Sequence, residues 1–375
     1  MTDAHARPRA GDSHVEEQMI RRSFVRVAAP IAVAAALVIP GASAKTVKMT
    51  AVSAGPPNVS NVKTTKEFFI PEVDKRIAAS GQDFKIEWKE AYGSSLASFN
   101  EVFEAIEEGI GQLGLILKNF EESKLPLEQY FYMAPFGRQT PSQLVVIDRN
   151  MRKKLPILNE TYLKHKQVFL GSAATESTDL FTTFPVKKVD DIKGHKLGAS
   201  GAMGHYLRGT GAVTVNSSML DSYTSIKNGV YEGYPISVTL AGPYRTYQAA
   251  KYFTEVQFGV TATSALTVNS AAWAQLPEFA RKIFYDVAVE WAAELEKLDV
   301  GRRAQFLGIM KKAGVEMAVL PPEERRRWAK MMPNIAQEWA ESQEKKGLPG
   351  KLVLKTYMDE LRGNKIEVAR HWDRE

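Results

Sequence analysis

The chain has 375 residues, 44% hydrophobic, 25% charged and 10% aromatic, which is the composition of a folded protein too long for one ordinary core and sized for two lobes. Its formal net charge of +6 is mild for this length, and basic residues interleave with acidic ones, as in Glu323-Glu324-Arg325-Arg326-Arg327. That pattern is a solvated helix face, and no nucleic-acid partner is expected. There is no cysteine, which excludes thiol catalysis, Cys-ligated zinc and disulfide bridges together.

Residues 1–44 read as a signal peptide. Arg21, Arg22 and Arg26 precede an apolar run from Val27 to Pro40, followed by Ala42-Ser43-Ala44, a small-x-small cleavage pattern. Arg21-Arg22-Ser23-Phe24-Val25 resembles a twin-arginine export signal, with Sec export the alternative, and Met19 is a candidate true start. The apolar run falls short of the roughly 20 residues that a membrane span needs. The mature protein, cleaved near Ala44, is therefore expected to be soluble and periplasmic.

In the mature chain, residues 45–52 alternate like a strand and 62–79 carry helical spacing broken by Pro71. A strand at 84–88, a helix at 98–108 and a buried strand at 113–117 follow, an order that implies a parallel sheet. Residues 142–148 and 167–172 read as strands with a helix between them. A second α/β run has strands at 196–199, 212–215 and 234–240, with helices at 201–208 and 218–228. Beyond Trp273 the pattern is helical: 277–297, 299–313, 321–345 and 352–361. The expected fold class is α/β, a two-lobed periplasmic binding protein fold with a ligand cleft between the lobes and a helical C-terminal region. Periodicity alone does not show where the chain crosses between the lobes.

Motifs for chemistry fail on context. Gly109-Ile-Gly111-Gln-Leu-Gly114 matches a dinucleotide fingerprint, but its helix comes before and its strand after, the reverse of what pyrophosphate binding requires. Gly198-Ala199-Ser200-Gly201 is not a nucleophile elbow. His195 and His205 lack metal-ligand spacing, and Glu107-Glu108 and Glu121-Glu122 are adjacent pairs on polar faces. No enzyme activity, metal or cofactor is expected.

Five segments, in order, resemble the substrate-binding subunits of tripartite ATP-independent periplasmic (TRAP) transporters, the DctP-like family. They are Tyr92-Gly93-Ser94-Ser95-Leu96 with its following helix, Phe131–Phe136, Val189–Leu197, Asp221–Gly233, and Asn269 through Trp273 to Pro277. The resemblance covers roughly 45–375 and implies a division into 45–170 plus 260–305 for lobe I and 171–259 plus 306–375 for lobe II. It implies a receptor that closes its lobes over a small organic acid and delivers the acid to membrane permease subunits. Two positions depart from the family pattern. Gly198 stands where the family usually has the Arg that grips the ligand carboxylate, and Tyr234-Pro235-Ile236 replaces a segment whose Asn touches the ligand.

A site is expected where loops leave the carboxyl ends of strands. Ser200, Gly201 and Ala202 offer amides to an anion. Arg245 is the expected replacement cation, with Arg208, Arg138 and Lys118 as alternatives. Tyr92, Tyr223, Tyr234 and Tyr244 supply walls with polar tips, Ser94 and Ser95 supply donors, and Glu176 serves a ligand hydroxyl or amine. The expected ligand is a monocarboxylate, aromatic or a 2-oxo acid. Rival readings are a sensory protein that presents a ligand on the same fold, or an extracytoplasmic enzyme.

Overall fold

The computed structural model describes residues 45–375, so the expected signal peptide lies outside the described residues. In chain order the strands are β1 (Lys45–Val52), β2 (Phe84–Ala91), β3 (Leu113–Leu117), β4 (Gln167–Thr175), β5 (Asp179–Thr182) and β6 (Lys196–Ala199). They continue as β7 (Val213–Asn216), β8 (Gly233–Ile236), β9 (Tyr252–Glu255), β10 (Thr261–Asn269) and β11 (Glu316–Val319).

The first sheet has the order β2-β1-β3-β10-β4. β1 alternates as expected, with Val47, Met49 and Ala51 buried, and runs parallel to β2 and β3. The sheet is mixed rather than parallel, because β10 enters antiparallel between β3 and β4. A second sheet has the order β11-β9-β5-β8, and β6 and β7 form a parallel pair. The fold is thus two α/β lobes, each built on its own sheet.

Helix Glu278–Lys312 links them. Phe284, Val287 and Trp291 on its first half pack into the core of the first sheet, while Met310 joins Phe181 and Phe253 in the core of the second. A third, larger core unites Tyr130–Tyr132, Leu144, Ile147, Trp328, Tyr357 and Trp372, and it buries the C-terminal helices.

Several elements differ from the sequence expectation for identifiable reasons. Residues 142–148 lie in helix Pro141–Lys154, not a strand. Thr140 and Gln143 form a reciprocal capping box, with Gln143 N donating to Thr140 Oγ1 at 3.2 Å and Thr140 N to Gln143 Oε1 at 2.8 Å. Pro141 then takes the first helical position, where it needs no N–H partner. Pro71 does not break its helix: a π turn at Thr65–Phe69 precedes it and gives its ring room against the preceding carbonyls. Helices 277–297 and 299–313 are one helix. Conversely, 321–345 is two, Pro322–Met331 and Ile335–Lys345, separated at Pro333, with Asn334 Oδ1 capping the second through Gln337 N at 3.0 Å. The strand expected at 234–240 ends at Ile236 and turns into helix Val238–Ala241.

Below the first sheet lies a buried charge cluster. Lys118 Nζ donates to Glu128 Oε2 at 2.8 Å and to Ser172 Oγ at 2.9 Å. Arg152 binds Glu128 at 2.7 Å and Asp148 at 3.0 Å, lies 3.6 Å from the centroid of the Phe169 ring, and Tyr130 donates to Asp148 at 2.8 Å. Two cations and two anions make the cluster neutral. Burial alone would raise the Asp148 carboxyl, but Arg152 and Lys118 outweigh it and hold the group well below the usual carboxylate range.

A cavity at the strand ends

One cavity is walled by residues from both sheets and encloses about 890 Å³ of empty space, part of it open to solvent. Ser53 and Gly55 follow β1, Asn119 follows β3, Thr178 follows β4, Ser200 follows β6 and Ser237 follows β8. These are the carboxyl ends of the strands, where an α/β sheet exposes backbone amides and loop side chains. Val59, Phe99, Leu117, Met203, Met219, Ile236, Leu240 and Leu295 give the cavity apolar walls.

The polar lining is almost all neutral. Ser53, Ser60, Asn61, Thr175, Thr178, Ser237, Thr239 and Thr261 contribute short polar side chains, and Tyr132, Tyr234 and Tyr244 contribute phenols. The Tyr132 hydroxyl has no hydrogen-bond partner by geometry. Burial pushes the Tyr244 phenol up to about 12, so it stays protonated and can donate. Tyr234 Oη donates to Ser217 O at 2.9 Å, which fixes its ring across the floor. Among the described residues, the one ionisable carboxyl in the lining is Asp299, from the long helix.

Of the residues expected from sequence, Ser200, Tyr234 and Tyr244 line the cavity. Gly201 sits at its edge with φ +51°, so close that a Cβ there would stand 2.9 Å from Asn119 O. Ala202 is buried behind it in the largest core. The others fall elsewhere. Arg245 is exposed, because its left-handed φ of 58° turns the chain outward at the start of helix Thr246–Ala249. Tyr92 packs against the first core, and Ser94 Oγ donates to Ala54 O at 3.2 Å while Ser95 is exposed. Tyr223 faces Lys227, 5.6 Å from its ring. Glu176 stands behind the wall, accepting from Thr239 N at 2.6 Å and from Arg303 Nη1 at 2.5 Å.

The alternative cations are also committed. Lys118 belongs to the buried cluster, Arg208 pairs with Glu338 at 2.6 Å, and Arg138 pairs with Glu367 at 3.5 Å. The guanidinium that touches the lining is one the sequence reading missed: Arg302, whose Nη1 donates to Ser60 Oγ at 3.0 Å.

Gly198 has a structural explanation. The Tyr231 ring lies across its Cα, and a Cβ at 198 would stand 2.5 Å from Tyr231 Cζ. No side chain fits there, so a family-type Arg has no room. Gly109, in the matched GxGxxG, has φ +75° and turns the chain from helix Val102–Glu107 into β3. Among the described residues no group of His, Asp or Glu could hold a metal ion, and no helix is long and apolar enough to cross a membrane.

Known structures share this architecture. A TRAP periplasmic solute-binding protein from Desulfovibrio salexigens, 20% identical, superposes with a TM-score of 0.72 over 85% of this chain and 96% of its own. A TRAP solute-binding protein from Rhodoferax ferrireducens, in complex with copurified benzoate, is 13% identical with a TM-score of 0.74 over 85% and 98%. An extracytoplasmic solute receptor of Bordetella pertussis that binds pyroglutamic acid is 19% identical with a TM-score of 0.69 over 84% and 99%. The family model for bacterial extracellular solute-binding protein, family 7, matches residues 94–343. With two thirds of the sequence under that model, the chain belongs to bacterial extracellular solute-binding protein family 7, the TRAP-type binding proteins.

Proposed function

We propose that this protein is the periplasmic receptor of a TRAP transporter, that it captures a small organic acid in the cavity between its lobes, and that it delivers the acid to membrane permease subunits without catalysing a reaction. The observation that carries this reading is the cavity itself, set at the strand ends of both sheets and lined from both sides. The similar structures that hold benzoate and pyroglutamic acid support an acid as the ligand. The proposed lobes divide as 45–170 plus 260–305 and 171–259 plus 306–375; β1, β2, β3 and β10 fall in the first and β5, β8, β9 and β11 in the second, which supports the division, while β4 crosses its boundary. Export is followed by cleavage near Ala44.

Ser200, Tyr234 and Tyr244 are the proposed contacts from one side, with the amide of Gly201 at the rim and that of Ala202 behind it. Ser53, Asn119 and Thr178 face them from the other. Neutral donors suffice for a carboxylate in a site that excludes water, since hydrogen bonds to a charged group are about twice as strong as neutral ones.

A thermal-shift screen of the exported protein against small organic acids tests this. An acid at a hundred times its dissociation constant should add about 2.7 kcal/mol of stability. The gain should shrink in Ser200→Ala and Tyr244→Phe. A screen in which no acid raises the melting temperature contradicts the proposal.

A further inference from the structure

Asp299 is an acid at a position the helix pattern reserves for an apolar residue. Ala288, Trp291, Ala292 and Leu295 form the buried stripe of the long helix, and Asp299 follows Leu295 by one turn, 5% exposed. Among the described residues it is the single ionisable carboxyl of the cavity lining, and its Oδ1 has no hydrogen-bond partner. A buried carboxyl with an open oxygen is costly unless something meets it, so its presence here points at an occupant.

We infer that Asp299 receives an ammonium group of the solute, and that the ligand is therefore a zwitterionic organic acid of the amino-acid class. This rests on the organic-acid reading above and narrows it. A plain monoanion would enter a cavity whose nearest guanidinium, Arg302, is tied to Ser60, and would face a second negative charge. A zwitterion brings its own cation and enters without net charge. Its carboxylate takes the neutral donors, its ammonium takes Asp299, and an apolar side chain has Phe99, Met219 and Leu240 to lie against.

The pH dependence follows from the same geometry. Burial pushes the Asp299 carboxyl up to about 7, opposed by the Ser60 hydroxyl, reinforced by Glu176 and opposed by Arg302 one turn along the helix. An ammonium needs the ionised form, so binding should weaken as pH falls below about 7. A hydroxy or oxo acid needs the protonated form and should weaken as pH rises.

The test is calorimetry of the exported protein with matched sets: leucine with its hydroxy and oxo analogues, and phenylalanine with phenyllactate and phenylpyruvate. Each set is titrated at about pH 6 and about pH 8, either side of the transition. The amino members should bind tightest, and more tightly at the higher pH. Asp299→Asn should weaken them by at least about 30-fold while sparing the hydroxy and oxo acids. A thermal melt of Asp299→Asn no lower than wild type at the higher pH keeps that loss attributable to recognition. If hydroxy or oxo acids bind more tightly than their amino counterparts, the inference is overturned and the organic-acid function stands. If no member of any set binds while another acid raises the melting temperature in the screen, the inference falls and the organic-acid function stands; if no acid does so either, both fall.

Discussion

Arg152→Met should destabilise the protein by about 3–5 kcal/mol, the cost of leaving buried carboxylates without their partner. Among the described residues Arg152 is the only group bridging Glu128 and Asp148 at hydrogen-bond distance, and all three side chains are at most 5% exposed. Lys118 stays bonded to Glu128 but stands 3.8 Å from Asp148, too far to replace what is lost. The denaturant midpoint reads the loss directly, and a change below about 1 kcal/mol would show that water reaches the cluster. Asp148 also sets an acid limit. Its folded-state pKa is depressed, so its contribution is full at neutral pH and is lost as pH falls below about 4.

Gly198→Arg, which installs the residue the resemblance leads one to expect, should destabilise rather than rebuild a carboxylate clamp. Even Gly198→Ala should cost about 1–3 kcal/mol, because the added Cβ overlaps a ring that cannot move away. Tyr231 is 1% exposed and its hydroxyl bonds Ser217 Oγ at 3.1 Å, which holds the ring in place. Combining Gly198→Ala with Tyr231→Leu should lose less than the sum of the two single changes, since they relieve one contact. Additive losses would mean that the ring is not what excludes a side chain at 198. The measurement is again the denaturant midpoint, with ligand affinity followed in parallel.

Sequence periodicity was informative where one local force dominates. β1 and β3 fall on the residues expected, because β1 alternates cleanly and β3 is a short, almost wholly buried apolar run. It failed where local and tertiary signals compete. Leu144-Val145-Val146-Ile147 reads as a strand by β-branching, yet the capping box at Thr140 and Gln143 starts a helix there. β10, the nine-residue strand that joins β3 to β4, was missed because Thr261–Asn269 mixes Thr and Ser with apolar residues in a strand buried between two others.

The site was legible in its position more than in its residues. Carboxyl-end loops located Ser200, Tyr234 and Tyr244, but nothing in a sequence shows that a turn at φ 58° throws Arg245 outward. Ser53, Asn61 and Thr178 carry no pattern of their own, since short polar side chains after strands are also ordinary turn residues. Asp299 did carry a signal: an acid one turn after Leu295, in register with the buried stripe of Trp291 and Ala292. It was passed over because the surrounding helix is rich in exposed charge.

The most direct measurement is a calorimetric titration of the exported protein with the acid that stabilises it most, run beside Met219→Trp. Met219 lines the cavity as a buried member of the core of the second sheet, so a larger side chain there enters the space from its wall, and a thermal melt checks that the core still holds. One acid per protein in the wild type, and none in a Met219→Trp variant that still melts cooperatively, is the predicted result. Equal binding by the two proteins would place the ligand outside this cavity and contradict the account.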